Sequence, residues 1–133
     1  MNKLKIAITG SQGLIGKTVT EHFRSLGDYE VIELARGLGH DFTDETFAKN
    51  CFAQHAPDYL VNLFAFCDPV EPAKKRTTLF EISLDSFRRY LEVNVTALFS
   101  VCREFSRNPK AKSIVNFSSI YGVVSPLPFM YDG

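Results

Sequence analysis

An excess of charge of either sign is missing from this sequence. Fifteen Lys and Arg balance fifteen Asp and Glu, and the isoelectric point lies near 6.8. The basic surplus with which a sequence-independent nucleic-acid binder meets its phosphates is therefore absent. Long apolar runs are missing too. The longest, Tyr59 to Cys67, is interrupted by Asn62 and falls far short of the roughly 20 residues that span a bilayer. The N-terminus has no apolar core of a signal peptide and enters a strand pattern at once. Cysteine is scarce: Cys51, Cys67 and Cys102 are an odd number without metal-ligand spacing. The expectation is a reduced, cytoplasmic compartment, no membrane partner and thiols packed as small hydrophobes. No internal repeat, low-complexity tract or interdomain linker divides residues 1–133, which read as one domain.

What is present is a core-forming composition, 45% hydrophobic with 12 Phe. Lys3 to Thr9 alternates and is rich in β-branched residues, the pattern of a strand. Leu14 to Leu26 has helical spacing at Leu14, Val19, Phe23 and Leu26 and closes on Gly27. Glu30 to Ala35 predicts a second strand, and Asp41 or Thr43 caps a helix to about His55. Tyr59 to Phe66 has the near-continuous apolar character of a strand buried on both faces. Asp68 to Thr78 reads as a loop. Ser83 to about Arg107 reads as one long amphipathic helix with Phe87, Leu91, Val95, Leu98 and Cys102 along its apolar stripe. Ser113 to Ser118 is the last strand, followed by a proline-containing loop. Alternating strands and helices predict an α/β unit: a parallel sheet with helices on both faces.

Between the first strand and the first helix stands Thr9-Gly10-Ser11-Gln12-Gly13-Leu14-Ile15-Gly16. Glycine serves here to leave the strand in a tight turn, to let the backbone approach a pyrophosphate and to pack the helix on the sheet. The helix N-terminus then presents N–H groups to the phosphates. Candidate cofactor-binding residues are accordingly Gly10, Gln12, Gly13, Leu14, Ile15 and Gly16. Gly16-Lys17-Thr18 matches the end of a Walker phosphate loop, but position 11 holds Ser where that loop needs its first glycine.

In NAD enzymes a carboxylate about 20 residues beyond the glycines meets the ribose 2′-OH, whereas an arginine accommodates a 2′-phosphate. Counted from Gly16, that distance reaches Ala35 and Arg36, with no acid at the strand end. Arg36 favours NADP. The alternative is that Glu33 or Asp41 meets the adenosine, with NAD as the ligand.

These residues resemble the short-chain dehydrogenase/reductase family along essentially the whole chain. The glycine spacing is similar to that of the family's extended, sugar-nucleotide branch. Asp41-Phe42-Thr43-Asp44 resembles the segment after the family's third strand, whose Asp lies near the adenine. Leu60-Val61-Asn62-Leu63-Phe64-Ala65 resembles the Asn-Asn-Ala-Gly segment of the fourth strand, retaining only Asn62, with bulky Phe64 in place of a small residue. Tyr90 to Thr96 resembles the helix that carries the family's catalytic Asn, here Asn94. Ser113 to Gly122 resembles the fifth strand and its catalytic serine, here Ser119. Read without the family, Asn94 is a polar group near buried surface that needs partners. Ser119 lies outside the carboxyl end of a parallel strand, where ligands of open α/β sheets bind.

The resemblance implies a three-layer Rossmann-like fold, here truncated after the fifth strand, acting with NADP or NAD on a small-molecule carbonyl/alcohol substrate. It also implies a homo-oligomer for full-length relatives, which pair partly through the long helix. The family's proton donor is a tyrosine with a lysine four residues on. Tyr131 stands close to the usual distance after Ser119, but its partner would be residue 135. A related subgroup carries its tyrosine further along, and Tyr121 fits a packing or substrate-pocket role. The chain is therefore expected to be the first part of an oxidoreductase. The alternatives are a catalytically silent dinucleotide-binding module and an extended-branch epimerase, dehydratase or reductase of nucleotide sugars.

Overall fold

The computed structural model describes residues 3–67 and 79–124. The expected loop over Asp68 to Thr78, and Tyr131, lie outside these residues. Four strands, β1 (Leu4–Thr9), β2 (Tyr29–Leu34), β3 (Tyr59–Asn62) and β4 (Ser113–Asn116), form one sheet in the order β2-β1-β3-β4, with every pairing parallel. Helix α1 (Leu14–Leu26) connects β1 to β2, and α2 (Glu45–His55) connects β2 to β3. The connection to β4 contains α3 (Leu84–Leu91), a π-helical turn over Glu92–Ala97, and α4 (Leu98–Ser106).

Strand alternation divides the core. Ile6, Ile8 and Val61 point to one face, where Val19 and Phe23 of α1 cover them. Ala7, Ile32, Leu34 and Leu60 point to the other, beneath Ala48 and Phe52 of α2 and Val101 and Phe105 of α4. Phe105 is fully buried, with its ring edge-on to Phe52 at 6.4 Å. The result is the three-layer, Rossmann-like α/β architecture. The chain runs from β1 outward to β2, then crosses back past β1 to β3. A crevice opens at the carboxyl ends of the strands where that order reverses.

Several local expectations are corrected. The four strands read from the apolar pattern all form, but the additional strand counted by the family likeness between β2 and α2 does not form among the described residues. That stretch instead holds a 3₁₀ turn at Arg36–Leu38, closed by Gly39 at φ 84°, and a turn made by the Asp41 side chain. Helix α2 is capped by Asp44, whose Oδ1 accepts from the N–H groups of Thr46 and Phe47, rather than by Asp41 or Thr43. β3 ends at Asn62, four residues before Phe66, because Leu63 to Phe66 leave the sheet to wall the crevice.

The long helix differs most. Its apolar stripe at Phe87, Leu91 and Val95 is exposed, and the face on the sheet carries Ala97, Ser100, Val101, Glu104 and Phe105. The wide π turn rotates α4 relative to α3, so one period does not describe both. In α1, likewise, Leu14 and Leu26 are exposed, and the helix seats itself through Gly16, Val19, Thr20 and Phe23.

Candidate functional site

The crevice encloses about 630 Å³ between the glycine turn, the loop after β2, the loop after β3 and the inner side of α3. Its floor is the glycine turn. Gly10 has φ 68°, and a Cβ there would come within 2.6 Å of the Phe64 backbone nitrogen. A Cβ on Gly16 would stand 2.0 Å from the Gly10 carbonyl oxygen, and one on Gly13 would stand 3.2 Å from it. Only glycine lets β1, the loop after β3 and α1 converge this closely.

The first-turn N–H groups of α1, at Leu14, Ile15 and Gly16, have no carbonyl of their own helix to bond. The side chains of Leu14 and Ile15 project outward and do not line the crevice, so these two residues offer a ligand their backbone alone. Among the described residues the Ser11 hydroxyl is buried without a partner, outside the crevice lining. Gly10, Gln12 and Gly13 line the crevice at the amino end of α1, a cradle that fits a phosphate-bearing ligand.

The second wall follows β2. Leu34, Ala35, Arg36 and Gly37 line the crevice, with Gln12 pressed so closely on Gly37 that a Cβ there would lie 2.2 Å from its Oε1. His40 Nδ1 accepts from the Ala35 N–H at 3.1 Å and its ring stacks on Phe47, which fixes the turn that carries Arg36. Burial pushes the His40 imidazole below the ordinary histidine value, and the charge of His55 acts in the same direction. Asp41 Oδ1 accepts from the hydroxyl (2.7 Å) and the N–H (3.0 Å) of Thr43. These bonds hold its carboxyl below the usual range, opposed by partial burial and aided by Arg36 and Arg89. Glu33 pairs with Arg24 and is not part of the lining.

The third wall is the loop after β3. Phe64, bulky where the resemblance expects a small residue, is accommodated because its ring packs on Phe42 at 5.7 Å. Asn62 does not line the crevice. Its Oδ1 accepts from the Thr9 hydroxyl at 2.9 Å and its Nδ2 donates to Asn116 Oδ1 at 2.8 Å, bracing the ends of β1, β3 and β4 below the floor. Asn94, in the π turn, accepts from the Phe66 N–H at 2.7 Å and donates to the Phe66 carbonyl at 2.8 Å. Both halves of its amide are thus spent on fixing this loop. Ser119 lies past the end of β4, and its Oγ accepts from the Tyr121 N–H at 3.1 Å, which leaves its own hydroxyl proton for another acceptor. The crevice therefore brings together Gly10, Gln12, Gly13, Arg36 and Asp41, while Leu14, Ile15, Gly16, Asn62, Asn94 and Ser119 do not line it.

His40, Phe66, Arg88 and Arg89 also wall the crevice, and reading the sequence alone did not single them out. Arg88 and Arg89 follow the pattern of a solvated helix face. For His40 and Phe66 the one signal was proximity to Arg36 and Asn62.

Residues 6–132 match the family model described as the NAD dependent epimerase/dehydratase family. A search of curated proteins finds no match. Among solved structures, a small-chain dehydrogenase superposes with a TM-score of 0.80 at 15% identity, covering 98% of this chain and 67% of its own. ElxO carrying a substitution, with NADPH bound, gives 0.79 at 21%, covering 93% of this chain and 58% of its own. A GDP-D-glycero-L-gluco-heptose synthase from Campylobacter jejuni, in the presence of NADPH, gives 0.70 at 18%, covering 98% and 36%. The chain thus spans between about one third and two thirds of the length of these structures.

Proposed function

Because the chain belongs to the NAD dependent epimerase/dehydratase family, we propose that it is the cofactor-binding part of an NADP-dependent oxidoreductase of the short-chain dehydrogenase/reductase type, acting on a carbonyl/alcohol substrate. The observation that carries this reading is the glycine cradle: at Gly10 and Gly16 a single added carbon would collide with backbone, and Gly10 and Gly13 line the crevice just before α1 begins. NADP is preferred to NAD because Arg36 lines the crevice just after β2, whereas Glu33, the carboxylate at the end of that strand, pairs with Arg24 outside it. NADPH in two of the superposed structures supports that preference.

When bound, the dinucleotide supplies or accepts the hydride. The protein's own residues hold and orient. The backbone of Gly10 to Gly16 receives the pyrophosphate, and Arg36 receives the ribose phosphate. Asp41 and Phe42 border the adenine end. Asn94 acts as a positioning residue, holding the wall at Phe66 through two hydrogen bonds. Ser119, with its hydroxyl proton available, donates to the substrate's carbonyl oxygen. A nucleotide sugar is the favoured substrate class within this reading, supported by the Gly-x-x-Gly-x-x-Gly spacing and by the GDP-heptose synthase among the similar structures. The exposed stripe at Phe87, Leu91, Val95 and Phe99 is the surface through which two copies would pair.

Titration with NADPH and NADH, followed by nicotinamide fluorescence, tests the proposal. Saturable binding, tighter for NADPH, is expected. Tighter NADH would overturn the cofactor preference, and no binding by a folded sample would overturn the reading of the cradle.

A further inference from the structure

The side of the crevice formed by α3 and the turn after it carries Asp85, Arg88, Arg89 and Glu92. Arg89 reaches the same space from α3, and its guanidinium carbon lies 4.7 Å from the centroid of the Phe66 ring. The ring is itself supported edge-on by Tyr90 at 4.9 Å, and the Phe66 backbone is fixed by Asn94. A guanidinium stacked on an aromatic face keeps its in-plane N–H groups directed outward, ready for the oxygens of an oxyanion.

Neighbouring cations are already engaged. Arg88 bonds Asp85 at 2.8 Å, Arg24 bonds Glu33, and Arg103 and Arg107 both bond Glu104. Among the described residues Arg36 and Arg89 enter no ion pair. Asp41 lies within the influence of both, but its Oδ1 is committed to Thr43. Among the described residues, two guanidiniums that enter no ion pair thus line one crevice, both near enough to act on the Asp41 carboxyl. That arrangement suits a compact group of high negative charge with several acceptor oxygens, and a phosphomonoester has both properties.

We propose that Arg89 is a specificity-determining residue, closing with Arg36 on the ribose phosphomonoester that distinguishes NADP from NAD. The inference rests on the dinucleotide reading above and adds to it a second contact, from a helix rather than from the loop after β2.

The test uses the whole chain with Arg89→Gln and Arg36→Gln. Each is titrated with NADPH and NADH, and bound NADPH is competed with adenosine 2′,5′-bisphosphate and with 5′-AMP. Melting curves establish that both variants fold, as expected for an exposed position on α3. R89Q is expected to lower the NADPH-to-NADH affinity ratio about ten-fold, the loss of one charge-assisted contact. The advantage of the bisphosphate over 5′-AMP falls in parallel. An unchanged ratio in R89Q, alongside a lowered ratio in R36Q, overturns the role of Arg89 and leaves the dinucleotide site standing. Equal losses for both cofactors also overturn it, because they assign Arg89 to support of the loop. Absence of saturable binding by the unsubstituted chain overturns the dinucleotide reading and this inference with it.

Discussion

Gly10 shows how a single residue ties fold to function. Its φ of 68° and its approach to the Phe64 nitrogen leave no room for a side chain, so Gly10→Ala is expected to cost at least about 1 kcal/mol and to abolish nucleotide binding. A melting curve paired with a titration checks both. Asn94 makes a different case. Asn94→Ala leaves the N–H and carbonyl of Phe66 without their partners, an expected loss of about 1–3 kcal/mol, measured by denaturant unfolding. His40 carries the pH dependence of the Arg36 turn, because only a neutral Nδ1 accepts from Ala35. Its folded value is lowered, so the unfolded chain binds the proton more readily. The contribution of His40 is complete above about pH 6.5 and is lost as pH falls through the lower folded value. Stability measured from pH 8 to pH 5 should decline for this reason, and His40→Gln should flatten the decline. Of these three residues, Gly10 and Asn94 were legible in the sequence as site candidates. The partner of Asn94 was not, because a backbone 28 residues away leaves no trace in local pattern.

At the scale of elements, strands were read more faithfully than helices. β1 stands where its β-branched alternation puts it, whereas β3 begins with its continuous apolar run but ends at Asn62, half-way along it. The helix over Ser83 to Arg107 was read with one face, yet the π turn at Glu92–Ala97 turns its second half by a fraction of a turn. Hydrophobic spacing cannot register such an insertion, because Val95 and Phe99 still fall on a plausible stripe. The consequence is measurable. Phe105→Ala, in the buried face of α4, should destabilise by about 3–5 kcal/mol, whereas Phe99→Ser should change the unfolding free energy of the chain by less than about 0.5 kcal/mol. If the exposed stripe pairs two copies, Phe99→Ser should instead lower self-association in sedimentation velocity. The reverse order of stabilities would restore the single-stripe helix. The loop between β2 and α2 was the hardest to read. Its turns depend on Gly39 at positive φ and on the Asp41 side chain, and neither produces a periodic signal.

At the scale of the whole molecule, the strand order places the candidate residues among the described ones at one end of the sheet. β1 lies between β2 and β3, so its glycine turn opens where the chain reverses direction. The loops after β2 and β3, together with α3, complete the walls. Among the described residues no helix is long and apolar enough to cross a membrane. The central claim is that a dinucleotide lies across this end, with its pyrophosphate on the Gly10 turn and its adenosine between Arg36 and Asp41. A two-dimensional ¹H–¹⁵N correlation spectrum of the 133-residue chain, recorded during titration with NADPH, tests that claim residue by residue. The expected result is saturable shifts concentrated at Gly10 to Gly16, Arg36 to Asp41 and Phe64 to Phe66, with α2 and the amino ends of the strands unmoved. Shifts confined to any other surface, or a folded spectrum that NADPH leaves unchanged, would contradict it.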